Sequence, residues 1–592
     1  MKSKRIYTLL TVLLLSLITT VSVTAQLHEL RSFWIATVWR LDWPQTAGTS
    51  VTAANQQKRQ MTELLDRLAE ANYNAIWFQV RSMCDAMYDS KYEPWSSNLT
   101  DFRGATPAYD PLEFIVEECH KRGMECHAWI NPFRFSTGTA YDTANDNEMR
   151  NNGWLITHKE ITPEKTTVTT VMNPALPEVR QRIVDICRDI LDNYDVDGIV
   201  FDDYFYPSGI PTNSSAEDYA QFAASGASDM GDWRRENVNK TVKAVYDMIQ
   251  DVKPFVKFGI GPRGIAATDQ AVADKYGVPR CTTGSDSQYS QIFCDPLAWL
   301  SAGTIDYISP QLYWARGYSA GDFGILCPWW YDVAEKFGRH CYVSHSLEYF
   351  KNGKQTPDTR EKTFEGMAAQ VQMNRDESSS APGSCFYSYS CVDDENETEN
   401  GMDFFTYMKN NKFQNKALTP CISWKEAPEQ GKVANLRENG GVLEWDAVDN
   451  MRYAVYLLPE GTSHDGRLLN VAKNLKAHLY YNRYELPEGY EKCEAAVAIV
   501  DRYGNRYSPQ WISVGKQSGI EDTANSDFAV RIEGNKVVFP AKVESVDVYD
   551  TVGKQLASYG DCSEINLEEK DGIVILRIDT GERIVTQKVS IK

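Results

Sequence analysis

The chain has 592 residues, of which 42% are hydrophobic and 24% are charged, and its formal net charge is −20. This composition is typical of a globular protein and excludes a chain that is disordered throughout. The 81 acidic against 61 basic residues argue against binding to nucleic acid or to an anionic membrane, because both require a cationic surface. The aromatic content of 12%, with 15 Trp and 32 Tyr, is high and needs its own explanation.

The first 25 residues predict export. A basic start is followed by an apolar run from Leu9 to Val23, and Ala25 closes a small-residue motif typical of signal-peptide cleavage. A membrane anchor is the alternative, but the run is short for a span. We therefore expect cleavage before Gln26 and a mature chain without a membrane span, located in the periplasm, at the cell surface or outside the cell.

All 13 cysteines follow this segment, and their odd number leaves at least one thiol unpaired. No CxxC pair points to a zinc or redox site. Cys119, Cys126 and Cys187 lie in apolar segments, where cysteine behaves as a small hydrophobic residue. We expect most cysteines to be buried thiols, with Cys281–Cys294 as a candidate disulfide.

Short apolar strands alternate with helical segments from about residue 30 to residue 415. Eight segments are predicted as strands: Ser32–Val38, Ala75–Val80, Glu125–Asn131, Gly198–Tyr204, Val256–Gly261, Ile305–Tyr313, Cys341–Ser346 and Ser384–Ser390. Between them, helices are indicated by apolar residues three and four positions apart and by first-turn prolines such as Pro111 and Pro177. Eight β/α units in series predict a (β/α)8 TIM barrel of the α/β class. A doubly wound sheet is the alternative, but no glycine-rich phosphate turn follows a strand.

The rest of the chain predicts two small all-β domains. Short strands with period-two alternation, including Val442–Trp445, Tyr453–Tyr456 and Ala495–Val500, are typical of a β-sandwich and resemble a fibronectin type III module with Trp445 in its core. Residues 516–525 are polar and predict a linker. The expected organisation is a signal peptide at residues 1–25, a barrel at 26–415, a β-sandwich at 416–515 and a C-terminal β domain at 516–592.

Candidate functional residues lie where the predicted barrel strands end, since catalytic groups of such barrels occupy those positions. They are carboxylates, arginines, amides and aromatics: Gln79, Arg81 and Asp85 after the second strand, Trp129, Asn131 and Arg134 after the third, Asp202, Asp203 and Tyr204 after the fourth, Arg263 after the fifth, Gln311, Tyr313 and Trp314 after the sixth, and Glu348 after the seventh. Only 8 histidines occur in the chain, so neither a metal nor a cofactor is predicted, and no GxSxG nucleophile motif is found.

Asp202 and Asp203 are the first candidates for chemistry, because they follow the buried strand that starts at Gly198. One reading is that either carboxylate is structural. The other is that Asp202 acts as nucleophile or base at a sugar's anomeric carbon while a second carboxyl is the acid, as glycoside cleavage requires. Aromatic residues at the strand ends would then stack on sugar rings.

Six ordered motifs carry a resemblance to a known family. Residues 29–39, 74–81, 127–134, 172–180, 197–207 and 305–314 are similar to the glycosyl-hydrolase-like family 10 of secreted bacterial proteins. The resemblance covers about residues 28–415 and implies a TIM-barrel glycosidase acting on bacterial or environmental glycans, with peptidoglycan glycan strands as a suggested substrate. It supports Asp202 through the Asp-Gly-x-x-x-Asp pattern, and it leaves the second carboxylate open between Asp203 and Glu348. The last 65 or so residues resemble C-terminal sorting modules of Bacteroidetes, with a plain β accessory domain as the alternative.

The sequence therefore predicts a secreted glycoside hydrolase whose partner is a carbohydrate. A glycan-binding surface protein on a barrel without catalysis is the competing interpretation. A polysaccharide deacetylase or other metal hydrolase would require a His and Asp cluster, which the sequence does not show. The oligomeric state does not follow from the sequence.

Overall fold

The computed structural model describes the chain from residue 26 onward. The described residues are 26–138, 141, 143–161, 166–352, 361–378, 380–393, 398–515, 528, 530–533, 535–567 and 572–591. The predicted signal peptide and the predicted linker at 516–525 lie outside the described residues.

Eight parallel strands form a closed barrel, which confirms the predicted (β/α)8 fold. They are Leu30–Ile35, Ala75–Arg81, Glu125–Ile130, Gly198–Phe201, Lys257–Ile260, Tyr307–Ile308, a seventh strand in two pieces (His340–Cys341 and Val343–Ser346), and Gly383–Tyr387. The first piece of the seventh strand pairs with the sixth strand and the second piece pairs with the eighth. The eighth strand in turn pairs with the first, so the seventh strand completes the circle.

The helices lie between the strands and end at recognisable signals. Asp110 caps one helix by accepting hydrogen bonds from the Leu112 and Glu113 amides, and Pro111 occupies its first turn. The helices of the barrel region are Val51–Glu70, Ser97–Thr100, Pro111–Lys121, Ala144–Asn151, Pro177–Asn193, Tyr219–Ser225, Met230–Val252, Gln270–Tyr276, Ser287–Gln291, Pro296–Ala302, Phe323–Lys336, Glu348–Asn352, Phe364–Glu377 and Phe404–Asn411.

Two cores result from the alternation of side chains along the strands. Phe33 and Ile35 of the first strand point outward into the core shared with the helices, whereas Trp34 points into the barrel. There its ring lies edge-on to Trp77 and Trp129, with centroids 4.5 and 4.8 Å apart. Part of the high aromatic content therefore fills the barrel interior.

A three-stranded antiparallel sheet follows the third barrel strand and was not predicted from the sequence. Its strands are Arg134–Thr137, Leu155–Ile161 and Thr166–Met172, with the last in the centre. Its signal in the sequence was the run Thr-Thr-Val-Thr-Thr-Val at 166–171, which is rich in β-branched residues.

The barrel's amino-terminal end is covered by the β region that follows it in the chain. This region contains the strands Arg437–Asn439, Val442–Glu444, Arg452–Pro459, Leu475–Leu479, Arg483–Glu485, Cys493–Val500 and Gln510–Val514. Arg452 forms an ion pair with Glu125 at 2.9 Å, and Arg502 forms one with Asp197 at 3.2 Å. Trp445 is buried and packs on Tyr453, as expected of a core tryptophan. The fibronectin type III assignment stays a prediction.

A second compact unit comprises residues 488–493 and 513–592. Its strands are Arg531–Glu533, Lys536–Tyr549, Gln555–Asn566, Gly572–Asp579 and Ile584–Ile591. The long strand Lys536–Tyr549 pairs along its length with the antiparallel strand Gln555–Asn566. Alternating residues such as Val546, Val548 and Leu576 form its own core.

Within the described residues the 13 cysteines form no disulfide, and eleven of them are buried. The candidate disulfide between Cys281 and Cys294 is not formed. Instead, the Cys281 thiol contacts the Thr283 carbonyl oxygen at 3.5 Å, and the Cys294 thiol contacts the Gln288 side chain at 3.6 Å.

Candidate active site

A cavity of about 210 Å³ opens at the carboxyl end of the barrel. Nine of the residues predicted from strand ends line it. The lining residues are Trp34, Val38, Trp39, Leu41, Gln79, Trp129, Arg134, Asp202, Asp203, Tyr204, Gln311, Tyr313, Glu348 and Tyr387. The structure thus brings three carboxylates together with several aromatic rings.

Asp202 lies at the base of this cavity and is 2% exposed. Along the fourth strand Val200 points into the barrel, so by alternation Asp202 does as well. Its Oδ2 accepts hydrogen bonds from Trp129 Nε1 at 3.0 Å and from Asn131 Nδ2 at 3.2 Å. Its Oδ1 accepts a longer bond from the Tyr204 amide at 3.3 Å. The third strand therefore fixes the orientation of the Asp202 carboxyl.

Asp202 holds a proton more tightly than an ordinary carboxyl. Burial away from water and the negative charge of Asp203 raise the pKa of Asp202 to about 7, although Arg134 and the Trp129 hydrogen bond act in the opposite direction. Near neutral pH the side chain is therefore divided between its protonated and ionised forms. Such a group is suited to give or take a proton.

Asp203 is held by the next two strands. Arg263 Nε donates to Asp203 Oδ2 at 3.1 Å, and Gln311 Nε2 lies 3.4 Å from Asp203 Oδ1. Gln311 also donates to the Gly261 carbonyl oxygen at 2.8 Å, which fixes its amide. Asp203 thus forms an ion pair with Arg263 at the rim of the cavity.

Glu348 lines the cavity from the first position of the short helix after the seventh strand, whereas Asp202 and Asp203 directly follow the fourth strand. The Tyr313 hydroxyl lies close enough to Asp203 and Glu348 to be affected by their negative charges. Burial, the adjacent Tyr387 and the charges of Asp203 and Glu348 raise the pKa of the Tyr313 hydroxyl well above its usual value. The rings of Tyr313 and Tyr387 stack with centroids 5.9 Å apart. The cavity therefore has carboxylates that follow two different strands, with an aromatic wall beside them.

Gln79 presents a buried donor at this cavity. Its Oε1 accepts hydrogen bonds from the Thr37 and Val38 amides at 3.0 and 2.9 Å, which orients the side chain. Its Nε2 has no hydrogen-bond partner within the described part of the chain, although the residue is fully buried. Since a buried donor without a partner costs free energy, this N–H is suited to a ligand that supplies an acceptor.

Two exposed aromatic residues flank the opening. Trp39 is 61% exposed and has a positive φ of 53°, in the left-handed region that is unfavourable for a large side chain. Tyr204 is 48% exposed, and the Arg134 guanidinium lies over its ring at 4.4 Å. Exposed rings held in this manner form flat apolar surfaces beside the carboxylates.

The described residues show no metal-ligand cluster and no helix that could span a membrane. Among them, no group of three or more His, Cys, Asp or Glu side chains is arranged to hold a metal ion. A search of the same residues finds no helix long and apolar enough to cross a membrane.

A family model described as "Glycosyl hydrolase-like 10" matches residues 29–350, which is more than half of the chain. The chain belongs to this family. The match includes every candidate residue named above, from Gln79 to Glu348, and ends two residues after Glu348.

Two curated relatives of this glycosyl hydrolase-like 10 protein are similar over most of their lengths. Glycosyl hydrolase YngK of Bacillus subtilis is 31% identical over 429 residues, covering 70% of this chain and 79% of YngK. Glycosyl hydrolase DigH of Escherichia coli is 32% identical over 347 residues, covering 55% of this chain and 74% of DigH. Among solved structures, the PgaB (BpsB) glycoside hydrolase domain of Bordetella bronchiseptica aligns with 62% of this chain and 95% of that domain, at 11% identity and a TM-score of 0.41.

Five predicted residues of this family member lie outside the cavity lining. Asn131 bonds to Asp202 from behind, and Arg263 bonds to Asp203. The other three have structural contacts. The first is Arg81, fully buried and paired with Glu93 at 3.2 Å. Asp85 accepts hydrogen bonds from the Ser82 and Met83 amides, and Trp314 packs against the barrel core.

Three aromatic residues of the cavity, Trp34, Trp39 and Tyr387, are not among the site residues predicted from the sequence. Tyr387 ends the eighth strand, where strand-end positions predict functional residues just as they do for the other seven. Trp34 lies inside the first strand and reaches the cavity from the barrel interior, with its Nε1 donating to Ser344 Oγ at 3.0 Å. Only the strand alternation could have indicated its direction.

Proposed function

We propose that the protein is an exported glycoside hydrolase that cleaves O-glycosidic bonds in a bacterial or environmental polysaccharide. The observation that carries this proposal is the convergence of Asp202, Asp203 and Glu348 in one cavity with aromatic walls. Membership of the glycosyl hydrolase-like 10 family and the names of the relatives support it. Export rests on the pattern of the first 25 residues. Peptidoglycan glycan strands freed of peptides are the first substrate to test.

Glycoside cleavage needs one carboxyl that protonates the leaving oxygen and a second that acts at the anomeric carbon, directly or through water. We assign the proton donor to Asp202, because its raised pKa keeps a proton available near neutral pH. The sequence alone had suggested Asp202 as nucleophile or base. Glu348, which begins the helix after the seventh strand, is then the second carboxylate. Asp203 raises the proton affinity of Asp202 and holds Gln311 and Arg263 in place.

Asp202→Asn and Glu348→Gln should each reduce the rate of cleavage by about 10²- to 10⁴-fold, the contribution of one acid–base group. The measurement is the appearance of new reducing ends from peptide-free glycan strands. Asp269→Asn, which changes an exposed helix cap outside the site, is the control and should leave the rate unchanged. Saturable binding of glycan by the wild-type chain without any new reducing ends would instead indicate a glycan-binding protein without catalysis.

Trp129→Phe should move the pH midpoint of activity to higher pH. The indole N–H donates to Asp202 and favours its ionised form, so its removal raises the pKa of Asp202 further. One hydrogen bond to a charged group corresponds to a shift of about one pH unit. The measurement is kcat/KM between pH 5 and pH 9.

The control for this shift is Trp329→Phe, which removes an indole N–H that donates to the Pro279 carbonyl oxygen away from the cavity. Its pH profile should match that of the wild type. A Trp129→Phe profile that stays in place, or moves to lower pH, would show that Asp202 does not control the midpoint.

A further inference from the structure

A second cavity of about 480 Å³ adjoins the first. The two share the residues Trp39, Arg134, Asp203 and Tyr204, so the second begins where the carboxylate cavity opens. One side of the second cavity is the loop after the fourth strand. The opposite side is the three-stranded sheet inserted after the third strand.

The register of this inserted sheet places one of its faces against the cavity. His158 pairs with Thr169, Glu160 pairs with Thr167, and Thr169 also pairs with Thr137. Directly paired residues in a sheet share a face, and residues two positions apart along a strand do as well. The cavity is lined from this face by Thr137, His158, Glu160, Thr167, Thr169 and Val171.

The opposite face of the sheet has a separate polar pair. Thr157 pairs with Thr170, and their hydroxyls lie 3.0 Å apart in a hydrogen bond. Neither residue lines the cavity. Adjacent positions on the same two strands therefore differ in the face that they occupy.

The chemistry of the cavity-facing side suits a sugar. It presents the hydroxyls of three threonines, the imidazole of His158 and the carboxylate of Glu160. These groups can donate hydrogen bonds to the hydroxyls of a pyranose ring and accept hydrogen bonds from them. At the junction of the two cavities, the exposed rings of Trp39 and Tyr204 provide flat surfaces for stacking. The Arg263 side chain, 35% exposed, adds a further donor.

We propose that the inserted sheet forms a second sugar subsite, so that a glycan chain occupies both cavities and is cut where they meet. This inference rests on the proposed function and extends it. The carboxylates act on the sugar ring in the first cavity, and the neighbouring ring of the same chain is bound by His158, Thr169 and Thr167 in the second. The sheet thus makes the enzyme require sugar on both sides of the bond.

The test compares two double variants. Each changes one residue in each of the same two strands, but the two variants lie on opposite faces of the inserted sheet. His158→Ala/Thr169→Ala removes polar groups from the cavity face, and Thr157→Ala/Thr170→Ala removes a hydrogen-bonded pair from the other face. Two readouts are used with peptide-free glycan strands: KM and kcat for cleavage, and the Kd for binding to the same variants in an Asp202→Asn background. The second readout is independent of turnover.

The expected result for His158→Ala/Thr169→Ala is a rise of about tenfold in both KM and Kd, as the loss of two ligand hydrogen bonds predicts. Thr157→Ala/Thr170→Ala should change neither by more than about twofold, which also controls for weakening of the sheet. Equal effects of the two double variants, or no effect of either, would overturn the subsite while the proposed hydrolase stands. A wild-type chain that neither cleaves nor binds the strands would overturn both.

Discussion

Glu125→Gln should destabilise the protein by about 3–5 kcal/mol, the cost of leaving buried charges without their partner. Glu125 begins the third barrel strand and is fully buried. Its carboxylate accepts from Lys257 Nζ at 2.6 and 2.7 Å, from Arg452 at 2.9 Å and from the Thr419 hydroxyl at 2.6 Å. Glutamine keeps the shape but removes the negative charge, so Lys257 and Arg452 remain buried as unbalanced cations.

The lowered pKa of Glu125 shows how strongly its ionised form is stabilised. Burial alone would raise its pKa, but Lys257, His127 and Arg452 outweigh burial and hold the pKa well below the usual range. Arg452 belongs to the β region after the barrel and Lys257 to the fifth strand. The substitution should therefore loosen the barrel end and the contact with that region together.

The measurement is unfolding in denaturant, with Glu63→Gln as the matched control. Glu63 pairs with Arg59 at 3.7 Å on an exposed helix surface, and its loss should cost less than about 1 kcal/mol. Adding Lys257→Met to Glu125→Gln should recover part of the lost stability, because one of the unbalanced cations is then removed. Equal unfolding midpoints for Glu125→Gln and Glu63→Gln would show that the network contributes little.

The barrel could be predicted from the sequence because its signals are local. Helix caps such as Asp110 and apolar strands such as Gly198–Phe201 depend on short stretches of chain. The strand-end rule also located most of the cavity, since the carboxyl ends of parallel strands meet at one face. These signals say which end of the barrel a residue occupies, and they say less about what the side chain contacts there.

Arg81 is a residue whose contacts the strand-end rule does not predict. It follows Gln79 by two positions and would share its face in a regular strand, but the pairing with the third strand shifts register between the two residues. Arg81 then meets Glu93, a residue of the following loop, and becomes a buried structural group. Neither the register shift nor an ion pair with a residue twelve positions away can be recognised from the sequence of the strand.

The inserted sheet shows a second limit. Its strands are parts of a single insertion, and their pairing brings His158 to Thr169 and Thr137 to Thr169. A β-branched run predicts a strand, but it does not say which face will be covered. Only the pairing assigns His158 to the cavity and Thr157 to the other face, and it is this assignment on which the proposed subsite depends.

Asp202→Asn should increase the stability of the folded protein at pH 8 while it slows the proposed catalysis by about 10²- to 10⁴-fold. The pKa of Asp202 is about 7 in the folded protein, against an ordinary value of 3.8 in the unfolded chain. Between these values the folded protein binds the proton and the unfolded chain does not, so unfolding becomes easier as the pH rises from about 4 to about 7. Above pH 7 the folded state has the full cost of an ionised, buried Asp202, on the order of 4 kcal/mol.

Asparagine resembles the protonated form and does not titrate, so this cost disappears. The difference in unfolding free energy between Asp202→Asn and the wild type should be small near pH 4, should grow in favour of the variant up to about pH 7, and should then stay constant. The measurement is denaturant unfolding at intervals between pH 4 and pH 8. A difference that does not change with pH would show that the folded protein does not raise the pKa of Asp202.

Asp197→Asn is the control with the opposite sign. Asp197 lies just before the other end of the same strand, also buried, and accepts from His120, Arg502 and Tyr480. Burial would raise its pKa, but the charges of His120 and Arg502 lower it well below the ordinary value. Its ionised form therefore stabilises the fold above about pH 4, and Asp197→Asn should destabilise at pH 8. The same substitution at two positions five residues apart should therefore have opposite effects on stability at pH 8. Asp197 maintains the fold, whereas the burial of Asp202 lowers stability, as expected for a group that is retained for chemistry.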